Sequence, residues 1–314
     1  MKFLTTVTAR LKNLVQRKIK TQGHAVKVRI LLFLVFVPLY ILPQSRVKGS
    51  IVDKDQHPIA YVNIGIVDGE KGTVSDENGF FELPLSVEEL KNPNSILKIS
   101  CIGYTPKTFS LTNKELYKEK LTIELEQHIT VLDEVILSSN AISEHTIGHQ
   151  KINSAKQVNF SIHRKKNENL GAEIGRRFHL KKGKNTLKSL RVFISENQFE
   201  QIKLRINVYG MEDNKPGKRL NHENYILDIQ DYKTGWISYD FPKGTSWLTE
   251  NNIIISLEWI AYKKGDTKMN ARLAIPITIP KFFNTHYYRY GSQSEWKRFD
   301  NMSTTMMLDY GHYN

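Results

Sequence analysis

The chain has 314 residues, of which 40% are hydrophobic and 25% charged, so it can bury cores in one to three domains. It carries a formal net charge of +13 and one cysteine, Cys101, which excludes an intrachain disulfide and a cysteine-based metal cluster. The charge is uneven: the first 29 residues hold eight Lys or Arg and no acid, residues 30–150 are net acidic, and residues 151–314 are net basic.

The first predicted element is an export signal. The basic stretch precedes an apolar run at residues 30–42, ILLFLVFVPLYIL. A membrane-spanning helix needs about 20 apolar residues, so this shorter run is typical of a signal-peptide core. An organellar transit peptide is the alternative, because the preceding residues also have amphipathic helical spacing. We expect residues 1–45 to be a signal peptide or an N-terminal membrane anchor, and the protein to reach the periplasm or outer membrane.

Residues 46–137 form a series of short alternating segments that predict a β-sandwich. The predicted strands are VKGSIV, IAYVNIGI, GFFEL, ILKISCI, KLTIELE and ITVLDEVIL. In KLTIELE the apolar residues point one way and the polar residues the other, as in a sheet with one buried and one wet face. Cys101 follows the apolar face of ILKISCI, which favours a buried small hydrophobe over a nucleophile.

The stretch SDENGFFEL at residues 75–83 predicts a tight turn. Asn78 and Gly79 supply the positive φ angles that a hairpin needs, and Asp or Asn side chains cap the amides of such turns. Phe81 and Leu83 then enter the core. The alternative is a cation site at Asp76, Glu77 and Asn78, but calcium needs at least six oxygen ligands and no spacing supplies the others.

The succession VKGSIVD, PIAYVNIGI, GTVSDENGFFEL, LKISCIGYTPKT and LDEVIL resembles the carboxypeptidase-regulatory-like domain of Bacteroidetes envelope proteins. The resemblance covers residues 46–137 and implies a seven-stranded, transthyretin-like sandwich. In this family the Asp-x-x-Gly-x-Phe segment marks a hairpin and carries no catalysis. The domain also precedes the plug of many TonB-dependent receptors, but only 177 residues follow LDEVIL here, too few for a plug and barrel.

Residues 138–150 lose the alternation and are predicted to be a linker. Residues 151–314 contain about seven further strand patterns and predict a larger sandwich of jelly-roll type, because strands without helices must bury one sheet against another. This half resembles, more weakly, the partner region of short Bacteroidetes proteins with the same domain. The predicted fold class is therefore all-β, with two consecutive sandwiches.

The sequence contains no catalytic motif in a context that supports its chemistry. Ser-x-x-Lys occurs at Ser95–Lys98 and Ser294–Lys297, but Ser95 leads into an alternating strand, where residues three apart face opposite sides. His-Glu-x-x-His, Gly-x-Ser-x-Gly and the P-loop are absent, so we expect no cofactor, no metal and no enzymatic activity. The alternative is a hydrolase that assembles a carboxylate site in the C-terminal sandwich from Asp228, Asp240 and Glu258. Such a site requires two acids in one cleft, one of them with a raised pKa.

Two groups of C-terminal residues are candidates for ligand binding. A basic tract attracts anionic envelope components, and aromatic residues near turns stack on sugar rings. Nucleic acid is disfavoured, since the chain has an export signal and no recognition motif. We therefore predict a binding or scaffolding protein that contacts a glycan, an anionic envelope component or an outer-membrane receptor. The candidate residues are Trp247, Tyr288, Tyr290, Arg176, Arg177, Lys181 and Lys182.

Overall fold

A computed structural model describes residues 45–128, 142–150, 152, 155–160, 170–243, 245–249, 252–265, 271–278 and 285–313. The predicted leader and the segment ITVLDEVIL lie outside the described residues. Strands dominate, which confirms the all-β prediction. Residues 45–314 form one compact unit.

The N-terminal part of this unit is a sandwich of seven described strands, the number that the family resemblance implies. One sheet has the order β4-β1-β7 and the other β3-β2-β5-β6. A capping box between Ser86 and Glu89 starts the short helix α1 (Val87–Lys91), and a 3-10 helix covers Lys114–Tyr117. The strands are β1 (Arg46–Val52), β2 (Asn63–Ile66), β3 (Gly72–Val74), β4 (Phe80–Pro84), β5 (Ile96–Ser100), β6 (Lys107–Ser110) and β7 (Leu121–Glu124).

The predicted turn at SDENGFFEL is confirmed. Oδ1 of Asp76 accepts hydrogen bonds from the backbone N–H groups of Asn78 and Phe80, both at 2.9 Å. Gly79 has φ +73°, and a Cβ there would lie 2.5 Å from the carbonyl oxygen of Ile51. The prediction that Asn78 shares the positive φ is wrong, because only the glycine of this pair adopts it. Phe81 and Leu83 are buried in the core, as predicted.

The C-terminal part is a larger antiparallel sandwich. Its strands are β8 (Ile142–Gly148), β9 (Gln157–Asn159), β10 (Glu173–His179), β11 (Gly183–Ile194), β12 (Glu196–Asn197), β13 (Gln201–Glu212), β14 (Lys215–Arg219), β15 (Tyr225–Gln230), β16 (Gly235–Asp240), β17 (Ser246–Thr249), β18 (Asn252–Lys263), β19 (Leu273–Thr278), β20 (Thr285–Arg289), β21 (Lys297–Asp300), β22 (Ser303–Thr304) and β23 (Met306–Tyr313).

The two main sheets of this sandwich enclose a large apolar core. The larger sheet has the order β14-β13-β18-β10-β20-β21, with β15 beside β13, and the other has the order β16-β11-β23-β8, with β17 beside β11. A smaller sheet joins β9, β12, β19 and β22. One apolar cluster contains residues of both sheets, such as Leu204 and Leu257 of the larger and Leu190 and Leu308 of the other, so their apolar faces meet. Trp259 lies fully buried there, with edge-to-face contacts to Phe160 and Phe199.

Part of the predicted linker is an edge strand. Residues 142–148 pair antiparallel with β23 along the register from Ile142↔Tyr313 to Gly148↔Met307. The strand alternates only between exposed and half-buried positions. Its sequence therefore lacks the strong alternation of apolar and polar residues that marks the inner strands, although its backbone forms hydrogen bonds to β23 at the edge of the sheet.

The two sandwiches pack against each other. Tyr61 and Val74 of the first form a small apolar cluster with Ile260 of the second. The β20–β21 connection lies on the β2–β3 hairpin, where Oγ of Ser294 donates to the carbonyl oxygen of Gly69 at 2.6 Å. Nε2 of Gln293 donates to Oγ of Ser100 at 3.1 Å. The N-terminal sandwich thereby covers the outer face of the large C-terminal sheet.

Candidate functional site: a cleft between the two sandwiches

The outer face of the large sheet is polar but buried. Its side chains alternate with the apolar residues that face the core, so Arg205 and Asn207 lie on one strand opposite Glu258 and Ser256 on the next. Glu173 is the neighbour of Glu258 on the third strand. Each of these five side chains is 0% exposed. Because buried polar groups are costly without partners, this face must form an internal network.

Two carboxylates form the centre of the network. Nδ2 of Asn207 lies 3.0 Å from Oε1 of Glu173 and 3.0 Å from Oε2 of Glu258, so one amide bridges both acids. Glu173 also accepts hydrogen bonds from the hydroxyls of Ser256 at 2.7 Å and Tyr209 at 3.2 Å. These contacts hold both acids in fixed positions as hydrogen-bond acceptors.

Three arginines surround the carboxylates. Arg205 donates to Glu258 at 3.3 Å and to the backbone carbonyl oxygen of Tyr61, which ties the network to the N-terminal sandwich. Arg289 donates to Glu173. Arg219 donates to the hydroxyl of Tyr209 at 3.3 Å and forms no salt bridge with a described carboxylate. Three guanidinium groups thus face two carboxylates, which leaves one excess positive charge.

A cleft of about 520 Å³ opens above this network, between the sandwiches. Its volume lies in the range of about 300–1,000 Å³ that is usual for small-molecule sites. Lys98 and Asn63 line it from the first sandwich, and Arg219, Arg289 and Ser292 from the second. None of the described lining residues is an Asp or a Glu. The cleft therefore presents cations and neutral polar groups to its contents.

Three side chains that line the cleft have a buried polar atom without a partner among the described residues. They are Oδ1 of Asn63, Oγ of Ser292 and Nε of Arg289, and Asn63 and Ser292 are only 2% exposed. A buried polar atom without a partner costs about 1–3 kcal/mol. These atoms have almost no accessible surface, so a ligand in the cleft would reach them only after a movement of the side chains that cover them.

The electrostatics of the site fix the charges of its groups. Burial raises the pKa of Tyr209, so its phenol stays protonated and donates to Glu173. Burial alone would raise the pKa of Glu258, but the surrounding arginines outweigh it and hold that pKa below its usual value. Burial would lower the pKa of Arg219, but Tyr209 and both acids raise it above the ordinary value. The guanidinium of Arg219 is thus a permanent cation.

The structure places the predicted basic residues away from this cleft. Arg176 is 3% exposed and donates to the backbone carbonyl oxygens of Thr304 at 2.6 Å and Met306 at 3.0 Å. Its expected position on a basic surface is wrong, because its strand has both faces covered. Arg177 is half-buried, and Lys181 and Lys182 are exposed. Their predicted role in binding stays a prediction.

The two predicted tyrosines, Tyr288 and Tyr290, do not line the cleft either. Tyr288 belongs to the C-terminal core and is 6% exposed, so its expected surface position is wrong. It packs edge-to-face against the half-buried Tyr290, whose ring lies 4.0 Å from Nζ of Lys297. The side chain of Trp247 lies outside the described residues. The predicted role of these three residues in binding stays a prediction.

The three acids of the hydrolase alternative do not share a strand. Asp228 is exposed on edge strand β15 and accepts from Gln201 at 2.9 Å. Asp240 is exposed on β16, in the other main sheet. Glu258 is buried and hydrogen-bonded to Arg205. Its partner across the network is Glu173, which the sequence did not suggest.

The residues that line the cleft were not predicted from the sequence, and of the network beneath it only Glu258 was named, in the hydrolase alternative. Arg205 and Asn207 alternate with apolar residues, a pattern that does not distinguish a face in water from a face covered by another domain. Only the density of charged residues on inner strands carried a signal, because strands such as β13 and β18 are otherwise rich in β-branched and aromatic residues. Asn63 likewise interrupts the apolar run IAYVNIGI.

Residues 47–137 match the family model of the CarboxypepD_reg-like domain. This match agrees with the boundaries of the N-terminal sandwich and confirms that part of the resemblance. A search of the curated proteins gave no match. Among the described residues, no helix has the length and apolarity needed to cross a membrane.

Several solved structures share parts of the fold at low similarity. The cysteine protease and lectin-like domains of Cwp84, a surface layer associated protein of Clostridium difficile, are 9% identical with a TM-score of 0.36, over 82% of this chain and 60% of that one. The infectious bursal disease virus VP2 subviral particle is 10% identical with a TM-score of 0.26, over 85% and 63%. The chain thus spans less than two thirds of either structure, and both similarities concern the fold alone.

Proposed function

We propose that this protein is a non-enzymatic binding protein of the cell envelope, exported by a Bacteroidetes bacterium, and that the cleft between its sandwiches is the ligand site. Its candidate ligands are a glycan, another envelope component or an exposed part of an outer-membrane receptor. The N-terminal leader pattern and the domain match at residues 47–137 support the proposed location in the cell envelope.

The observation that carries the proposal is the cleft of about 520 Å³, which residues of both sandwiches line and which presents Lys98, Arg219 and Arg289 but no described acid. Such a cleft has the size and the polar groups that a small-molecule site needs. Binding is favoured over hydrolysis, because Glu173 and Glu258 lie beneath the cleft and accept from the network instead of lining the open space.

The test is a binding screen of the purified full-length chain against a glycan array and envelope extracts. His222 is exposed and lines the cleft, so His222→Trp adds bulk there without removing a buried contact. We expect this variant to lose about tenfold or more in affinity for the component that binds the wild type. His57→Trp, at an exposed position outside the cleft lining, is the matched control and keeps full affinity.

Two results would refute the proposal. One is a wild-type protein that binds no envelope component and no glycan. The other is a His222→Trp variant that binds as tightly as the control, which would place the ligand site elsewhere on the molecule.

A further inference from the structure

We infer that the ligand of this cleft carries a carboxylate or a similar oxyanion, and that Arg219 binds it. This inference rests on the proposed function and specifies the chemistry of the same site.

The cleft is selective for negative charge. Lys98 on β5 and the two arginines, Arg219 and Arg289, all line it, and no described acid does. The acids beneath the floor are already engaged, Glu173 by Arg289 and Glu258 by Arg205. A positive potential therefore remains at the open side, and a neutral occupant would leave it uncompensated.

Arg219 has the free donors that an oxyanion needs. A guanidinium has five N–H donors in a planar fork. Among the described residues, the hydroxyl of Tyr209 is the acceptor of a hydrogen bond from Arg219. The guanidinium carbon of Arg219 lies 5.7 Å from the centre of the Tyr209 ring, within the range of a cation–π contact. A planar fork of donors is suited to the two oxygens of a carboxylate.

The neutral groups of the wall match the rest of such a ligand. Asn63 and Ser292 line the cleft, and an amide and a hydroxyl can both donate and accept hydrogen bonds. A compound that has hydroxyl groups beside its oxyanion suits such a lining. Acidic sugars combine these features, and the volume of about 520 Å³ accommodates units of one or two sugars.

The experiment compares glucuronate with glucose, which differ at one carboxylate, by calorimetric titration of the full-length chain. Sulfate and inorganic phosphate are added in separate arms to identify other sources of an oxyanion. We expect glucuronate or one of these anions to bind, and glucose to bind at least about tenfold more weakly.

Arg219→Gln removes the cation and should weaken oxyanion binding about tenfold or more, while Arg219→Lys recovers part of it. Arg46→Gln is the control, since Arg46 lies outside the cleft lining, on the exposed salt bridge to Glu82. If Arg219→Gln fails to fold by circular dichroism, Lys98→Gln replaces it, because Lys98 lines the same cleft at a half-buried position.

Equal binding of glucose and glucuronate, or an unchanged affinity of the folded variant, would overturn the inference. Binding of none of the oxyanions would also overturn it. An envelope component could bind more weakly to His222→Trp but equally well to Arg219→Gln and the wild type. That result would support the proposed function and contradict only the inference about Arg219. The two failures are thus distinguishable.

Discussion

At the scale of single residues, the structure buries charged side chains at strand positions where an alternating pattern predicts contact with solvent. Arg205 and Glu258 are fully buried, and they form a salt bridge across adjacent strands. A buried ion pair is weak evidence for stability, since desolvation of both ions offsets their attraction. This ion pair instead helps to position the two sandwiches, because Arg205 also donates to the backbone of Tyr61 and so holds one sandwich on the other.

His286 gives a pH-dependent prediction at this scale. It is 2% exposed and stacks on Phe299 at 4.8 Å, and burial lowers its pKa from 6.5 to about 4. The unfolded chain then binds more protons than the folded one between these values, so stability falls as pH decreases from 6.5 to 4. The loss attributable to this residue is about 3 kcal/mol.

His286→Phe keeps a buried ring and removes the titration. We expect its free energy of unfolding, measured by urea titration at several pH values, to depend less on pH than that of the wild type, by up to about 1.4 kcal/mol per unit. Parallel profiles for the two proteins between pH 6.5 and 4 would contradict the prediction.

At the scale of elements, the contact between the β20–β21 connection and the β2–β3 hairpin is close because glycines lie on both sides. A Cβ on Gly291 would lie 3.1 Å from the backbone nitrogen of Gly72 and 3.3 Å from the carbonyl oxygen of Glu70. These are backbone atoms of the other sandwich and have little freedom to move. Gly291 therefore sets the distance between two elements, one from each sandwich, that both contribute residues to the cleft lining.

Gly291→Ala should separate these elements slightly and lower the free energy of unfolding by about 1–2 kcal/mol, measured in urea. Gly210→Ala is the matched control, since a Cβ there would meet its nearest neighbours at 3.8 Å and 3.9 Å. We expect no loss of stability in the control. A Gly291→Ala protein as stable as the control would show that the contact tolerates the methyl group.

At the scale of the whole molecule, the shared polar network predicts that the two sandwiches unfold together. Side chains of the C-terminal sandwich donate across the interface, Lys203 to Glu77, Arg205 to Tyr61, Gln293 to Ser100 and Ser294 to Gly69. The ions among them would be exposed if one sandwich opened alone. The chain has suitable probes for each part. All four tryptophans lie in the C-terminal half, and the single cysteine, Cys101, lies in the N-terminal sandwich on the cleft wall.

Burial raises the pKa of the Cys101 thiol, so the folded protein should react slowly with a thiol reagent. We expect Cys101 labelling and tryptophan fluorescence to change at the same urea concentration, as in a cooperative transition. Labelling of Cys101 at a lower urea concentration than the fluorescence change would show that the N-terminal sandwich opens independently.

The sequence by itself determined the all-β class, the position of the first sandwich and the hairpin at Asp76 to Phe80, because these depend on local alternation and on turn residues. Only the tertiary structure decided that the second face of β13 and β18 is covered, that Tyr288 and Arg176 are buried, and that residues 142–148 extend a sheet. Period-two patterning distinguishes an apolar face from a polar one. Whether the polar face meets water or another domain depends on contacts between residues far apart in the chain, and the candidate site lies at those contacts.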